Sequence, residues 1–504
     1  MKIQEYVDSM KELQNLLLVY VESDADNEVH FQNLVNYINI QKEQWNKEDY
    51  EHFLHLISSV INNHHRYSNL FMKIEKILIT YSEQIKKTFT NQDIYELFQK
   101  NKKMLLFLIE NNMIQLEDII SDLMSKKDPQ GQKYYHFFYP EVKKYIPKEQ
   151  ADNIEKELFE YNSNVFEKFN ENRHKGENEF YICQIIRNDS VEDFIVYINQ
   201  NNIPLNSLIK HSLFETNSYL LKQEQISLIE YAAFYGSIRI FNYLHQNGVE
   251  LTTKLTEYSI HSKSGELITF LIENQVEPKV SYKDILYESI KCHHNDVAQY
   301  IKDNFGINTN DDKIILSSIR YDNYLFYPTC FDDKNTFVKF CRYKQFKIVD
   351  YLITNKMDYI TKISNSMTIK EAANKNEVET VYYLLSKQNQ IYKRQFYDCK
   401  GMVQICIPPS IQKIGCASFK RCRSLELLTI PPSVTVIHAG AFSKCSELKK
   451  IKIPSSVTKI YDNAFFKCIS LSKISISHPI SIGTFRNLVS LKQFTIPSSV
   501  TSLE

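Results

Sequence analysis

The chain has 504 residues, with 60 Lys and Arg against 60 Asp and Glu. That length allows about three domains at roughly 150 residues each, and the zero net charge shows no electrostatic footprint for nucleic acid or an anionic membrane. Only 10 residues are glycine, about 2% against roughly 7% in average proteins. Tight βα turns, phosphate loops and nucleophile elbows need glycine's backbone freedom, so the composition favours helices and repeats.

The N-terminus, MKIQEYVDSMKELQNLLLVYVESD, is amphipathic, charged throughout and without a small-residue cleavage site, unlike a secretory leader. No window approaches 18 uncharged apolar residues, so no membrane insertion is expected. Ten cysteines without a C-x-x-C pair fit reduced thiols and a cytoplasmic location. Residues 1–175 read as consecutive amphipathic helices, at 3–22, 28–40, 47–62, 66–87, 91–110 and 113–126, with Leu13, Leu16, Leu17 and Tyr20 on one face. Asp128-Pro129-Gln130-Gly131 is a turn signal.

A repeat runs through residues 176–395. Its clearest copy is Leu228–Leu251, LIEYAAFYGSIRIFNYLHQNGVEL. Ala232 and Ala233 are small enough for close helix contact, and Gly236 and Gly248 stand where two helices must stop. Ile240, Tyr243 and Leu244 give the i, i+3, i+4 face of the second helix. This copy resembles an ankyrin repeat. Related copies centre on Tyr197-Ile198 and end in Phe270-Leu271, Tyr300-Ile301, Tyr351-Leu352 and Tyr383-Leu384, and Ala372-Ala373 repeats the alanine pair. The step of 51 residues between Ile301 and Leu352 hides an insertion or a lost unit near Tyr321–Asp333. Leu105–Ile114 is similar to the second helix and turn of such a unit. The junction at Gln388–Lys400 has no glycine or proline run, so the two repeat regions are expected to abut.

From 396 to 504 one phrase recurs. Ile407-Pro408, Ile430-Pro431, Ile453-Pro454 and Ile496-Pro497 each begin a unit, Ile476 marks another, and the steps are 23, 23, 23 and 20 residues. A period of this size means a small supersecondary unit stacked on its copies. Before each isoleucine, apolar residues alternate at period two (Leu428/Ile430, Ile451/Ile453), which suits a short strand with one face inward. A second apolar pair follows (Val434/Ile437, Val457/Ile460), then a small residue with an aromatic (Ala441-Phe442, Ala464-Phe465), then Cys422, Cys445 or Cys468. The phrase resembles the BspA-type leucine-rich repeat, which implies a coil of parallel strands used for contact with other molecules. The chain as a whole resembles divergent ankyrin-repeat proteins ending in such repeats, a group expanded in unicellular eukaryotic parasites.

Few residues suggest chemistry. The cysteine column at 23-residue spacing would stack thiols in a buried ladder rather than converge them as metal ligands. Cys292-His293-His294 and His64-His65 are neighbours in sequence, which on a helix face apart. His52-x-x-His55 lacks the glutamate of a zinc-protease helix, and no phosphate-loop, dinucleotide or nucleophile-elbow motif occurs. No catalytic, cofactor or metal residue is therefore expected. The candidate protein contacts are the outward strand column Thr429, Lys452, Ser475 and Thr495, with Cys406 before it, and the aromatics Tyr231, Phe234 and Tyr235. At helical spacing those aromatics serve either a core or an interface.

The expected fold is an α+β repeat protein: an all-α N-terminal region, an ankyrin α-solenoid, and a leucine-rich-repeat solenoid with a short parallel β-sheet. The expected role is a non-catalytic scaffold for other proteins, without cofactor or nucleic acid. A surface-displayed adhesin and an enzyme with an unrecognised site in residues 1–175 are the alternatives. The sequence stops at Thr501-Ser502-Leu503-Glu504, inside a unit; either the gene is truncated, or an open coil is left for a partner or for self-association.

Overall fold

The structure is a computed structural model that describes residues 3–23, 27–67, 69–308, 311–328, 334–355, 367–475 and 493–495. Two compact units emerge, Met1–Thr329 and Cys330–Glu504, so the helical N-terminal region shares a unit with most of the helix pairs that follow it.

The first unit opens with α1 (Ile3–Glu22), α2 (Glu28–Gln41) and α3 (Lys47–Asn63), close to the expected spans. Asn46 and Asp49 form a reciprocal capping box that fixes the start of α3. The expected helix at 66–87 is two, α4 (Leu70–Thr80) and α5 (Ser82–Thr88). The one at 91–110 is also two, α6 (Asn91–Phe98) and α7 (Lys102–Glu110). There Asn101 accepts from the Met104 backbone N–H and starts a fresh helix, a polar cap that apolar periodicity cannot see. Next is α8 (Leu116–Ser125).

Helix pairs follow: Tyr181–Arg187 with Val191–Gln200, Leu228–Tyr235 with Ile238–Gln246, Leu255–Ser262 with Gly265–Glu273, and Tyr282–Lys291 with Asn295–Asn304. Asp312–Arg320 is followed by the 3-10 turn Tyr324–Phe326 in place of a second helix, and the two occupy the long step between the pairs. Tyr231, Ala232, Ala233, Phe241 and Leu244 lie in one core with Ile186, Phe194 and Leu271.

A shared turn joins the members of each pair. Asp189, Gly236, Lys263, His293 and Asp322 all have φ between 51° and 69°, the left-handed conformation that ends a helix. After four of them the next residue's N–H bonds back five positions, as Ser237 does to Ala232 O at 2.9 Å and Asn323 to Ser318 O at 2.9 Å, while after Lys263 the Ser264 N–H donates to Ser262 Oγ at 3.2 Å. Only one of these five caps is glycine. The side chains of the others carry polar contacts that glycine could not make.

The second unit holds two more pairs, Lys334–Arg342 with Phe346–Asn355 and Met367–Asn374 with Val378–Ser386, with the same caps at Lys344 and Asn376. Stacked coils then begin. Strands β1 (Gln390–Ile391), β3 (Lys413–Ile414), β5 (Val436–Ile437) and β7 (Lys459–Ile460) form one parallel sheet. Parallel pairing on the other side joins β2 (Gln404–Cys406) to β4 (Leu427–Thr429), and β6 (Lys450–Lys452) to β8 (Lys473–Ser475) and β9 (Gln493–Thr495). Phe396, Phe419, Phe442 and Phe465 stack between the sheets with centroids 5.0, 5.2 and 5.3 Å apart, about one strand spacing.

The coil array starts before residue 396: β1 and Phe396 belong to an earlier coil, with Phe396 and Cys399 standing 23 residues before Phe419 and Cys422. The last helix pair closes its edge. Asn376 Oδ1 accepts from the backbone N–H of Val403 (3.1 Å) and Gln404 (3.3 Å), where β2 begins. A Cβ on Gly401 would meet Asn374 O at 1.8 Å, so the close approach requires glycine. Ile476, Phe485, Ile496 and Thr501–Glu504 lie outside the described residues.

Candidate functional site

Two places gather polar residues in a way that needs explanation. One is a buried seam in the first unit, where α1, α3 and the residues after α3 meet the helix-pair turns. Gln14, 1% exposed, donates to Asn323 Oδ1 at 2.9 Å and accepts from the Tyr324 N–H at 2.9 Å. Its amide also reaches His293 Nδ1 at 3.1 Å, while His293 Nε2 faces Tyr321 O at 2.8 Å. A carbonyl can only accept, so Nε2 carries the proton and Nδ1 accepts: His293 is neutral. Burial holds its pKa down to about 4.

Successive turns are met in the same manner. His65 Nε2 donates to Phe234 O at 2.8 Å, and His64 Nε2 lies 3.0 Å from Cys292 O. Lys263 pairs with Glu22 at 2.7 Å, and His52 Nδ1 with Asp322 at 3.0 Å. The caps between helices thus act as docking points for the N-terminal helices. Cys292, His293 and His294 form a turn instead of lying on a helix; Cys292 and His294 both reach Asn63, while His293 turns to Tyr321 and Gln14.

Within the seam, His261, Glu288 and Cys292 lie together. His261 Nδ1 is 3.6 Å from Cys292 Sγ, and Nε2 is 3.1 Å from Glu288. Thiol, imidazole and carboxylate in line is the order of a cysteine nucleophile with its base and orienter. The environment opposes that use. Cys292 is fully buried, burial pushes its thiol far above the usual range, and its Sγ faces Asn63 Oδ1 at 3.3 Å. A thiol held protonated is no nucleophile. As a metal site the trio also fits poorly, because the two ring nitrogens face two partners on opposite edges and only one can ligate a given ion. The arrangement works as a buried hydrogen-bond relay.

The predicted aromatics fall in this first unit. Tyr231 and Phe234 are 1% and 0% exposed and are core residues, not partner contacts. Tyr235 is partly covered, with His65 5.2 Å from its ring. The N-terminal region already occupies this face, which the repeat pattern alone could not reveal.

The second place is the outward face of β2, β4, β6 and β8. Ile405, Leu428 and Ile451 are buried, while Cys406, Thr429 and Lys452 are exposed. Ser475 and Thr495 continue that column in backbone register, opposite Lys452 and then each other; their side chains lie outside the described residues. A second outward column, Gln404, Leu427, Lys450 and Lys473, is also exposed. Sequence reasoning missed it, although the period-two alternation that marks Thr429 marks Leu427 equally.

Whole-chain neutrality conceals a segregation of charge. Residues 389–504 contain sixteen Lys and Arg against five Asp and Glu, a net charge of +11. Residues 1–388 carry −11. The coils therefore have the electrostatic footprint that the overall balance hides.

Within the coils, Cys422, Cys445 and Cys468 form the expected buried column. Each thiol donates to the Phe carbonyl of the preceding coil, Phe396, Phe419 or Phe442, at 3.0, 3.1 and 3.1 Å. Cys399 is a fourth buried member, one period earlier. Among the described residues no helix is long and apolar enough to cross a membrane.

No match was found among curated proteins. Among solved structures, the chain is 27% identical to a leucine rich cell surface protein from Faecalibacterium prausnitzii A2-165, over 22% of this chain and 36% of that one, with a TM-score of 0.19. The match thus spans about a third of that protein. Residues 389–504 match the family described as BspA type leucine rich repeat region, in six copies, and the coils of the second unit are that repeat.

Proposed function

We propose that the chain is a non-catalytic protein-contact scaffold whose working surface is the outward strand face of the leucine-rich coils. The observation that carries this reading is the flat strip of exposed residues, Cys406, Thr429 and Lys452 beside Gln404, Leu427 and Lys450, held by a fully buried inner column. Repeating strands present side chains at fixed spacing over several coils, which suits shape-complementary contact along an extended surface. The helix pairs of 176–395 are divergent ankyrin units in this proposal. The αL caps, the paired helices and the Ala232-Ala233 contact support that assignment. Their role is to be clamped by the N-terminal helices and to close the first coil, so binding along their aromatic face is not part of the reading.

A cytoplasmic, reducing location accords with the thiols of Cys422, Cys445 and Cys468 working as hydrogen-bond donors. Protease treatment of intact cells separates this from surface display: cleavage would favour an adhesin. The contact face is tested by placing a photo-crosslinking amino acid at Thr429 in one sample and at exposed Gln299 of the first unit in another. Protein adducts from the Thr429 position alone are expected. Equal labelling from both, or none from Thr429, would remove the strand face as the working surface.

A further inference from the structure

We infer that the partner of the strand face is an acidic protein segment with an apolar residue at one end. This rests on the strand face being a protein contact and adds what chemistry that contact selects. Lys450 and Lys452 project from one strand, and Lys473 is paired directly opposite Lys450 on the next. All three are exposed. Like charges directly opposite on neighbouring strands repel and weaken the sheet, so this part of the surface is under a load that an anionic ligand would relieve. None of the residues of β2, β4, β6, β8 and β9 is acidic. The ion pair next to them, Lys449 with Glu426 at 2.7 Å, lies outside the strands.

The net charge of +11 over residues 389–504 extends this field over the whole coil array and would draw an acidic partner in. What separates a protein from a bare polyanion is the other end of the strip. Leu427 is 62% exposed and Val403 40% exposed, and both stand on the coils just before the lysines. A nucleic acid or sulfated polysaccharide gains nothing from covering them. A polypeptide with carboxylates over Lys450, Lys452 and Lys473, and a leucine-like side chain over Leu427, satisfies both halves.

The test uses the full chain and a labelled synthetic peptide of Glu-Glu-Leu repeats, with polyglutamate of equal length and a heparin oligosaccharide as comparison probes. The peptide is expected to bind, more weakly as salt rises. Replacing the three lysines (K450Q/K452Q/K473Q) is expected to weaken it about tenfold, or 1.4 kcal/mol. Neutralising Lys413 and Lys459 of the other sheet should weaken it far less than the triple replacement, through the long-range field alone. Leu427→Ser is expected to weaken the peptide and spare polyglutamate. Equal binding of all three probes with no effect of Leu427→Ser would mean a bare polyanion site and overturn the inference, as would no binding or binding indifferent to the lysines. Thr429 crosslinks that persist in the triple variant would defeat the acidic partner while leaving the contact face standing. Absence of Thr429 crosslinks in the unaltered chain would defeat both.

Discussion

His65 lies flat on Phe234, with ring centroids 3.9 Å apart and planes 3° from parallel, while its Nε2–H donates to the carbonyl of the same residue. One side chain from the segment after α3 thus covers the aromatic face of the best-formed helix pair and satisfies its C-terminal backbone at once. A partner seeking that face would have to displace the chain's own N-terminal region.

His65→Ala should therefore loosen the N-terminal helices without unfolding the coils. It removes the stack and leaves a carbonyl unpaired, a loss of about 1–3 kcal/mol. Hydrogen exchange is expected to accelerate in α3 and in Leu228–Tyr235, and to stay unchanged in β4–β7. Unchanged exchange throughout would mean that the ring contributes nothing to docking.

Gln14 should be the more damaging position. It bridges α1 to two turns, and Gln14→Leu leaves the Tyr324 N–H, Asn323 Oδ1 and His293 Nδ1 without their partner. Unsatisfied buried groups cost about 1–3 kcal/mol each, so the variant should lose about 3 kcal/mol or more despite its apolar side chain. Thermal unfolding of the first unit gives the answer. A Tm equal to that of the unaltered chain would show that the network adds no stability.

The pH dependence has two limbs of opposite sign. Burial lowers the pKa of His293 to about 4 and of His65 to about 3, against about 6.5 in an unfolded chain. The unfolded state then binds more protons in that interval, so stability falls as pH drops from about 6.5 towards 4. His52 goes the other way. Burial alone would lower it, but Asp322 and Glu48 raise it to about 10. Its contribution is present below about 6.5 and is lost as pH rises through about 10. Denaturant titrations across pH should show both limbs, with His52→Gln removing the alkaline one.

The coils were legible in sequence because their period is strict: Phe419, Phe442 and Phe465 recur at a fixed step and occupy equivalent places. The coil before them was missed since Phe396 and Cys399 sit in a segment without the Ile-Pro phrase. The helix pairs were only partly visible. Their stop signal is a left-handed backbone, and with Asp189, Lys263, His293 and Asp322 in that conformation the usual glycine is gone. Those side chains meet tertiary partners up to 279 residues away in the chain, as His293 meets Gln14. No local pattern reports such a pairing. The basic strip was hidden by averaging charge over a chain whose two parts cancel.

The cysteine column offers a test that separates hydrogen bonding from packing. Cys445 Sγ donates to Phe419 O at 3.1 Å from a fully buried position. Cys445→Ala removes the donor and opens a small void, for a loss of about 1–2 kcal/mol. Cys445→Val restores apolar volume but leaves the Phe419 carbonyl with the Cys422 N–H as its remaining donor, at 3.1 Å. If the thiol served only as filler, valine would recover most of the stability. With the bond counted, valine should still fall short of the unaltered chain by about 0.5–1.5 kcal/mol, the net worth of one hydrogen bond. The same geometry predicts reactivity: burial pushes the Cys468 thiol up to about 12, so a disulfide reagent near neutral pH should label exposed Cys406 at once and reach Cys445 and Cys468 only as the coils open. Rapid labelling of the column in the folded chain would show that these thiols are not locked between coils.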